Sequence, residues 1–76
     1  SMINAGIFPN DMLVVDLSIE PQDNNVVIAF VDGEFTVKRL KIAKNQQVTL
    51  LPENEKFSPI VIKEDMDFRL WGVVTN

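Results

Sequence analysis

The chain has 76 residues, seven basic and eleven acidic, for a net charge of −4 and a pI near 4.5. That length holds one domain, and the acidic balance argues against the basic face that non-specific nucleic-acid binding requires. With no cysteine and no histidine, a disulfide framework, a thiolate centre, an imidazole base and every Ser-His-Asp triad are excluded, so hydrolytic chemistry here must use a carboxylate or a lysine as base.

In chain order, the opening "SMINAGIFPND" reads as a short helical turn capped by Ser1 and closed by Gly6, followed by a bend at Pro9-Asn10-Asp11. "MLVVD" (Met12 to Asp16) is a first strand, and the polar, proline-bearing "LSIEPQDNN" is a loop. "VVIAFV" (Val26 to Val31) is a strong strand, and Asp32-Gly33 after it is a leading hairpin signal of the type I′ kind. "EFTVKRLKI" returns from that turn. "QVTLLP" (Gln47 to Pro52) is a strand ended by proline, "ENEKFSP" a loop, "IVIK" (Ile60 to Lys63) a short strand, "EDMD" a turn and "FRLWGVVT" (Phe68 to Thr75) a final strand. About six short strands at regular spacing, with almost no helix, make an all-β domain: a small curved sheet or partial barrel. No apolar run approaches the roughly 20 residues of a membrane helix. The final strand stops at Thr75-Asn76 without a turn and Ser1 opens without a lead-in, so the segment reads as a piece of a longer protein.

Within "EFTVKRL", Lys38 stands in mid-strand, where lysine is depleted. A two-residue turn fixes the register: Val31 faces Glu34, Phe30 faces Phe35, Ala29 faces Thr36, Ile28 faces Val37 and Val27 faces Lys38. Alternation puts Val26, Ile28, Phe30, Phe35, Val37 and Arg39 on one face, which reads as the core. Val27, Ala29, Val31, Glu34, Thr36, Lys38 and Leu40 fall on the other. Lys38 then has two readings. Its stem lies on Val27 and Leu40 with the ammonium in water, or another segment covers the face and desolvation lowers its pKa until it can accept a serine proton. Ser1, Ser18 and Ser58 are the serines available, and spacing does not rank them.

The stretches "SMINAG", "NDMLVVD", "VVIAFVDGEFTVKRL", "LLPEN", "FSPIVI" and "WGVVT" together resemble the C-terminal domain of the LexA/UmuD family of self-cleaving SOS-response proteins, over essentially the whole chain. In that family the nucleophilic serine opens a Ser-Met pair, and the catalytic lysine lies 37 residues on, in a "TVK" strand after a DG-type hairpin. Here Ser1 precedes Met2, and Lys38 ends Thr36-Val37-Lys38 at the same separation. The resemblance implies a LexA- and signal-peptidase-like fold, a single S24-type serine-peptidase-like domain over residues 1–76, Ser1 as nucleophile and Lys38 as general base, and no cofactor or metal. The wording of "FSPIVI" and "FRLWGVVT" is closer to the UmuD-like branch, while "VTLLPEN" is shared with the repressors. A UmuD-like identity implies a bacterial, cytoplasmic homodimer whose cleavage is stimulated by a RecA filament on single-stranded DNA, and which serves a UmuC-like Y-family polymerase subunit in error-prone translesion synthesis. The alternative within the family is the dimerisation and autocleavage domain of a LexA-like repressor. A non-catalytic binding module is the reading from another class. The Gly-Asp that usually precedes the serine and the scissile bond of the upstream arm are absent, so the segment as given cannot cleave itself. Asn24-Asn25 replaces a Gly-Asp ahead of the "VVIA" strand, and asparagine tolerates the left-handed bend.

Asp11 with Asp16, and Glu64-Asp65-Asp67, are read as solvated carboxylates rather than cation ligands. In the last strand, alternation puts Phe68 and Leu70 on one face and Trp71 on the other, or the reverse under a bulge; one face reads as core, and the other, with Trp71 and Val73, is a candidate contact surface for a dimer or polymerase partner.

Overall fold

The fold grows from its turns. Asp32 (φ 46°) and Gly33 (φ 95°) both adopt positive φ, the signature of a type I′ turn whose twist matches that of its flanking strands. The computed structural model describes residues 12–75. They form β1 (Val15–Asp16), β2 (Val26–Val31), β3 (Glu34–Ile42), β4 (Val48–Leu51), β5 (Ile60–Val61) and β6 (Phe68–Val74). The strands make one open antiparallel sheet in the order β1-β6-β2-β3-β4-β5, with no helix among the described residues. The all-β expectation holds. The opening turn expected around Ser1 and Gly6, and the bend at Pro9, lie outside the described residues. β1 and β5 are shorter than expected. β1 pairs only through Val15 and Asp16, and beyond Val61 the chain leaves the ladder after one further bond, Ile62 N–H to the Val48 carbonyl at 3.0 Å.

The hairpin register is the expected one, from Val31 opposite Glu34 to Val27 opposite Lys38. Asn24 takes φ 77°, so the bend tolerated by asparagine is present. There the Asn24 and Leu40 N–H groups donate to the carbonyls of Leu40 and Asn25 at 2.7 and 2.8 Å, tying the loop to β3.

The expected core face is reversed. Val27, Ala29, Leu40, Leu50 and Val73 form the buried cluster, flanked by Val31, Ile60, Phe68 and Leu70. Phe30, Phe35 and Trp71 lie on the opposite face, where Phe35 packs edge-on against both others at ring-centroid distances of 5.2 Å. Phe35 and Trp71 remain 57% and 55% exposed. Both faces of the hairpin are apolar, so alternation alone could not rank them.

Strand β6 departs from alternation once. Its pairing with β2 shifts register between Ile28 and Ala29, a bulge of one extra residue. Phe68 and Leu70 face the core and Trp71 faces away, as expected, but the bulge returns Val73 to the core instead of leaving it beside Trp71. Gly72, at the bulge, allows β1 to approach: a Cβ there would sit 2.5 Å from Val15 Cγ1 and 2.9 Å from Leu17 Cδ2.

Candidate functional site

Because the buried face is the Val27–Leu40 face, the side chain of Lys38 projects along the edge of the core. Thr36, two residues back on the same face, accepts a hydrogen bond from Lys38 Nζ, and the Val37 carbonyl accepts a second at 3.3 Å. The side chain is half-buried, and among the described residues no carboxylate lies within ion-pair distance of it. Burial therefore lowers its pKa from the ordinary lysine value, because desolvation penalises the ammonium and leaves the neutral amine untouched. Lys38 is thus partly covered rather than wholly in water.

The cover comes from the loop between β4 and β5. A cleft of about 270 Å³ is lined by Val31, Glu34, Thr36 and Lys38 from the hairpin, and by Phe57, Ser58 and Ile60 from that loop and β5. The hairpin half of this wall was legible, since Val31, Glu34 and Thr36 share the lysine's face by alternation. The loop half was not, because nothing local in "KFSPI" says which face it crosses.

Of the three serines, Ser58 lines the cleft with Lys38. Ser18 lies beyond β1, its hydroxyl and N–H donating to Asp16 Oδ1 at 2.6 and 2.8 Å. Those two bonds hold the Asp16 carboxyl below its ordinary value. Ser1 lies outside the described residues, as does Asp11. In the acidic turn, Asp67 pairs with Arg69 at 3.2 Å, and its N–H donates to Asp32 Oδ1 at 2.9 Å. That carboxylate and that turn brace the hairpin tip against β6. Arg39, expected on the core face, instead pairs with Glu53 at 2.6 Å and donates to the Asn24 carbonyl at 2.9 Å. It ties β3 to the β1–β2 loop through Asn24 and to the β4–β5 loop through Glu53.

The cleft holds a partly dehydrated amine with no carboxylate partner among the described residues, beside an apolar wall and with Glu34 and Ser58 also in its lining. That suits proton transfer from a hydroxyl nucleophile to a leaving amine. Comparison with known proteins points the same way. The family model described as "Peptidase S24-like" matches residues 1–75. The chain belongs to the Peptidase S24-like family. Among curated relatives of this S24-like domain, the LexA repressor of Oleidesulfovibrio alaskensis is 43% identical over all 76 residues, and that of Bordetella parapertussis is 44% identical over the same span. LexA repressor 1 of Xanthomonas oryzae pv. oryzae is 42% identical over 73 residues, 96% of the chain. The chain spans only about a third of each relative's length, 36%, 35% and 36% respectively. The resemblance to the LexA/UmuD family thus holds, and these relatives carry the repressor's name rather than that of the UmuD-like branch. At the level of the S24-like family, the chemistry is that of a self-cleaving serine peptidase. Among the described residues no helix is long and apolar enough to cross a membrane.

Proposed function

We propose that this chain is the self-processing domain of a LexA-like SOS repressor, with Ser1 as nucleophile and Lys38 as general base. The observation that carries the reading is the state of Lys38: half-buried, without a carboxylate partner among the described residues, held by Thr36 and lining a cleft of about 270 Å³. In the reaction, neutral Lys38 takes the proton from Ser1 Oγ as that oxygen attacks a backbone carbonyl. The peptide C–N bond breaks, and the ammonium of Lys38 delivers the proton to the leaving amine. A water molecule, deprotonated by the same amine, then hydrolyses the ester and regenerates both groups. A lysine of ordinary pKa would be almost wholly protonated at pH 7 and unable to start this sequence. Covering the cleft with the cleavage arm presents the peptide and excludes water in one step.

In this reading the domain pairs with a second copy, carries a DNA-binding half upstream, and cleaves when a RecA filament on single-stranded DNA favours the closed arm. The wording of "FSPIVI" and "FRLWGVVT" supports a second reading, a UmuD-like subunit serving a Y-family polymerase. The gene sequence upstream of Ser1 separates the two: a helix-turn-helix segment fits the repressor, a short arm the polymerase subunit.

The test is self-cleavage of the full-length protein, followed by mass spectrometry. Ser1→Ala and Lys38→Ala should each abolish cleavage while leaving the circular-dichroism spectrum and the melting transition in place. Wild-type cleavage in Lys38→Ala would sink the reading.

A further inference from the structure

The cleft carries one charged side chain that the mechanism does not use. Glu34 lies on the same face of β3 as Lys38, four residues away at the other end of the cleft wall. Its carboxylate makes no hydrogen bond or ion pair among the described residues. Strand geometry puts the two positions about 13 Å apart along β3. Among the described residues, the backbone between them is open on one side. β2 pairs with β3 from Glu34 through Arg39, but β4 pairs with it only from Arg39 to Ile42. In a two-residue hairpin, Glu34, Thr36 and Lys38 exchange their hydrogen bonds with β2, so the backbone groups of Phe35 and Val37 point to the free edge. The Val37 carbonyl already accepts from Lys38 Nζ. Among the described residues, the N–H groups of both residues and the Phe35 carbonyl are left for a strand that adds there.

From this geometry we propose that Glu34 is a specificity-determining residue, selecting a basic side chain four residues from the scissile bond of the peptide. The inference rests on the peptidase reading above. A peptide strand laid along the Glu34–Lys38 edge shares its side-chain alternation with β3. With the reacting residue opposite Lys38, the residue four positions away lies opposite Glu34. The side chain between them meets an apolar wall of Val31, Phe57 and Ile60. The free carboxylate at the end of that wall attracts a lysine or arginine and repels a glutamate. The pair is solvent-exposed, so its effect is modest and falls with ionic strength.

The test offers the full-length protein separate twelve-residue peptides that share one cleavage sequence. Lys, Ala or Glu is placed four residues before the bond in one set and four residues after it in another. Hydrolysis is read as kcat/KM at low salt, and binding is read on the Ser1→Ala protein. In one of the two sets, the lysine peptide should exceed the glutamate peptide about five- to tenfold in both readouts. Glu34→Gln should erase that ratio and Glu34→Lys should invert it, and 0.5 M salt should shrink it in the wild type. Equal values in both sets, or a ratio that survives Glu34→Gln, overturn the role of Glu34 and leave the peptidase reading standing. Charge-ranked binding without hydrolysis of any peptide, together with no self-cleavage, supports Glu34 and sinks the peptidase reading. Neither binding nor hydrolysis overturns Glu34 as well.

Discussion

Lys38 sits directly opposite Val27 across the β2–β3 ladder, and Val27 is fully buried. The amine is therefore a border residue of the core, not a side chain on the free face of the sheet. Among the described residues the ammonium has hydroxyl and carbonyl oxygens but no carboxylate, and protonation is penalised.

The sign of the pH dependence follows. The folded-state pKa of Lys38 lies below its unfolded value, so the unfolded chain binds more protons in the interval between the two. The penalty from Lys38 is full below the folded pKa and disappears as pH rises towards the ordinary lysine value. Cleavage should rise with pH, with a midpoint below 10.5. Lys38→Met should be inactive and melt higher than wild type at pH 7, and the gap should narrow above pH 10. Melting curves between pH 6 and 11 check this, and a gap that widens with pH would contradict it.

Thr36 orients the amine. Thr36→Val keeps the shape of the strand but removes the oxygen that accepts from Nζ. The cleavage rate should fall about ten- to a hundredfold, the cost of a misplaced catalytic group. Loss of an acceptor that favours the ammonium should also move the pH midpoint lower. Thr36→Ser should restore most of the rate. A rate-against-pH series on the three proteins distinguishes this from simple destabilisation, which would leave the midpoint in place.

Gly72 is required by the close approach of β1. In Gly72→Ala the new methyl would meet Val15 Cγ1 and Leu17 Cδ2, both inside van der Waals distance. Overpacking of this kind costs about 1–3 kcal/mol. The urea midpoint should fall, and hydrogen exchange should rise first at the amide of Thr75, whose N–H donates to the Val14 carbonyl at 2.9 Å across the β1–β6 edge.

The inverted core gives a direct comparison. Leu40 is fully buried, whereas Phe35 is more than half exposed. Leu40→Ala should cost about 2–5 kcal/mol, a large part of the stability of a domain this small. Phe35→Ala, despite removing the larger side chain, should cost only about 1 kcal/mol, mostly its edge-on contacts with Phe30 and Trp71. Denaturant titrations of the two variants rank them, and the reverse order would restore the face expected from alternation.

The sequence by itself determined the hairpin and its register. A two-residue Asp-Gly turn leaves one way to count partners outward, and those contacts are local. It also determined that any base must be a lysine or a carboxylate. The tertiary structure decided which face of the hairpin is inside. Val27, Ala29 and Leu40 on one side and Ile28, Phe30 and Phe35 on the other are equally apolar as a pattern. Only packing with side chains of β4 and β6 distinguishes them, because Leu50 and Val73, distant in sequence, close over Val27, Ala29 and Leu40. The bulge beside Trp71 turns Val73 inward for the same non-local reason. The same holds for Phe57 and Ser58, which line one cleft with Lys38: their neighbours there come from β3, about twenty residues earlier in the chain, and no short-range pattern encodes that meeting.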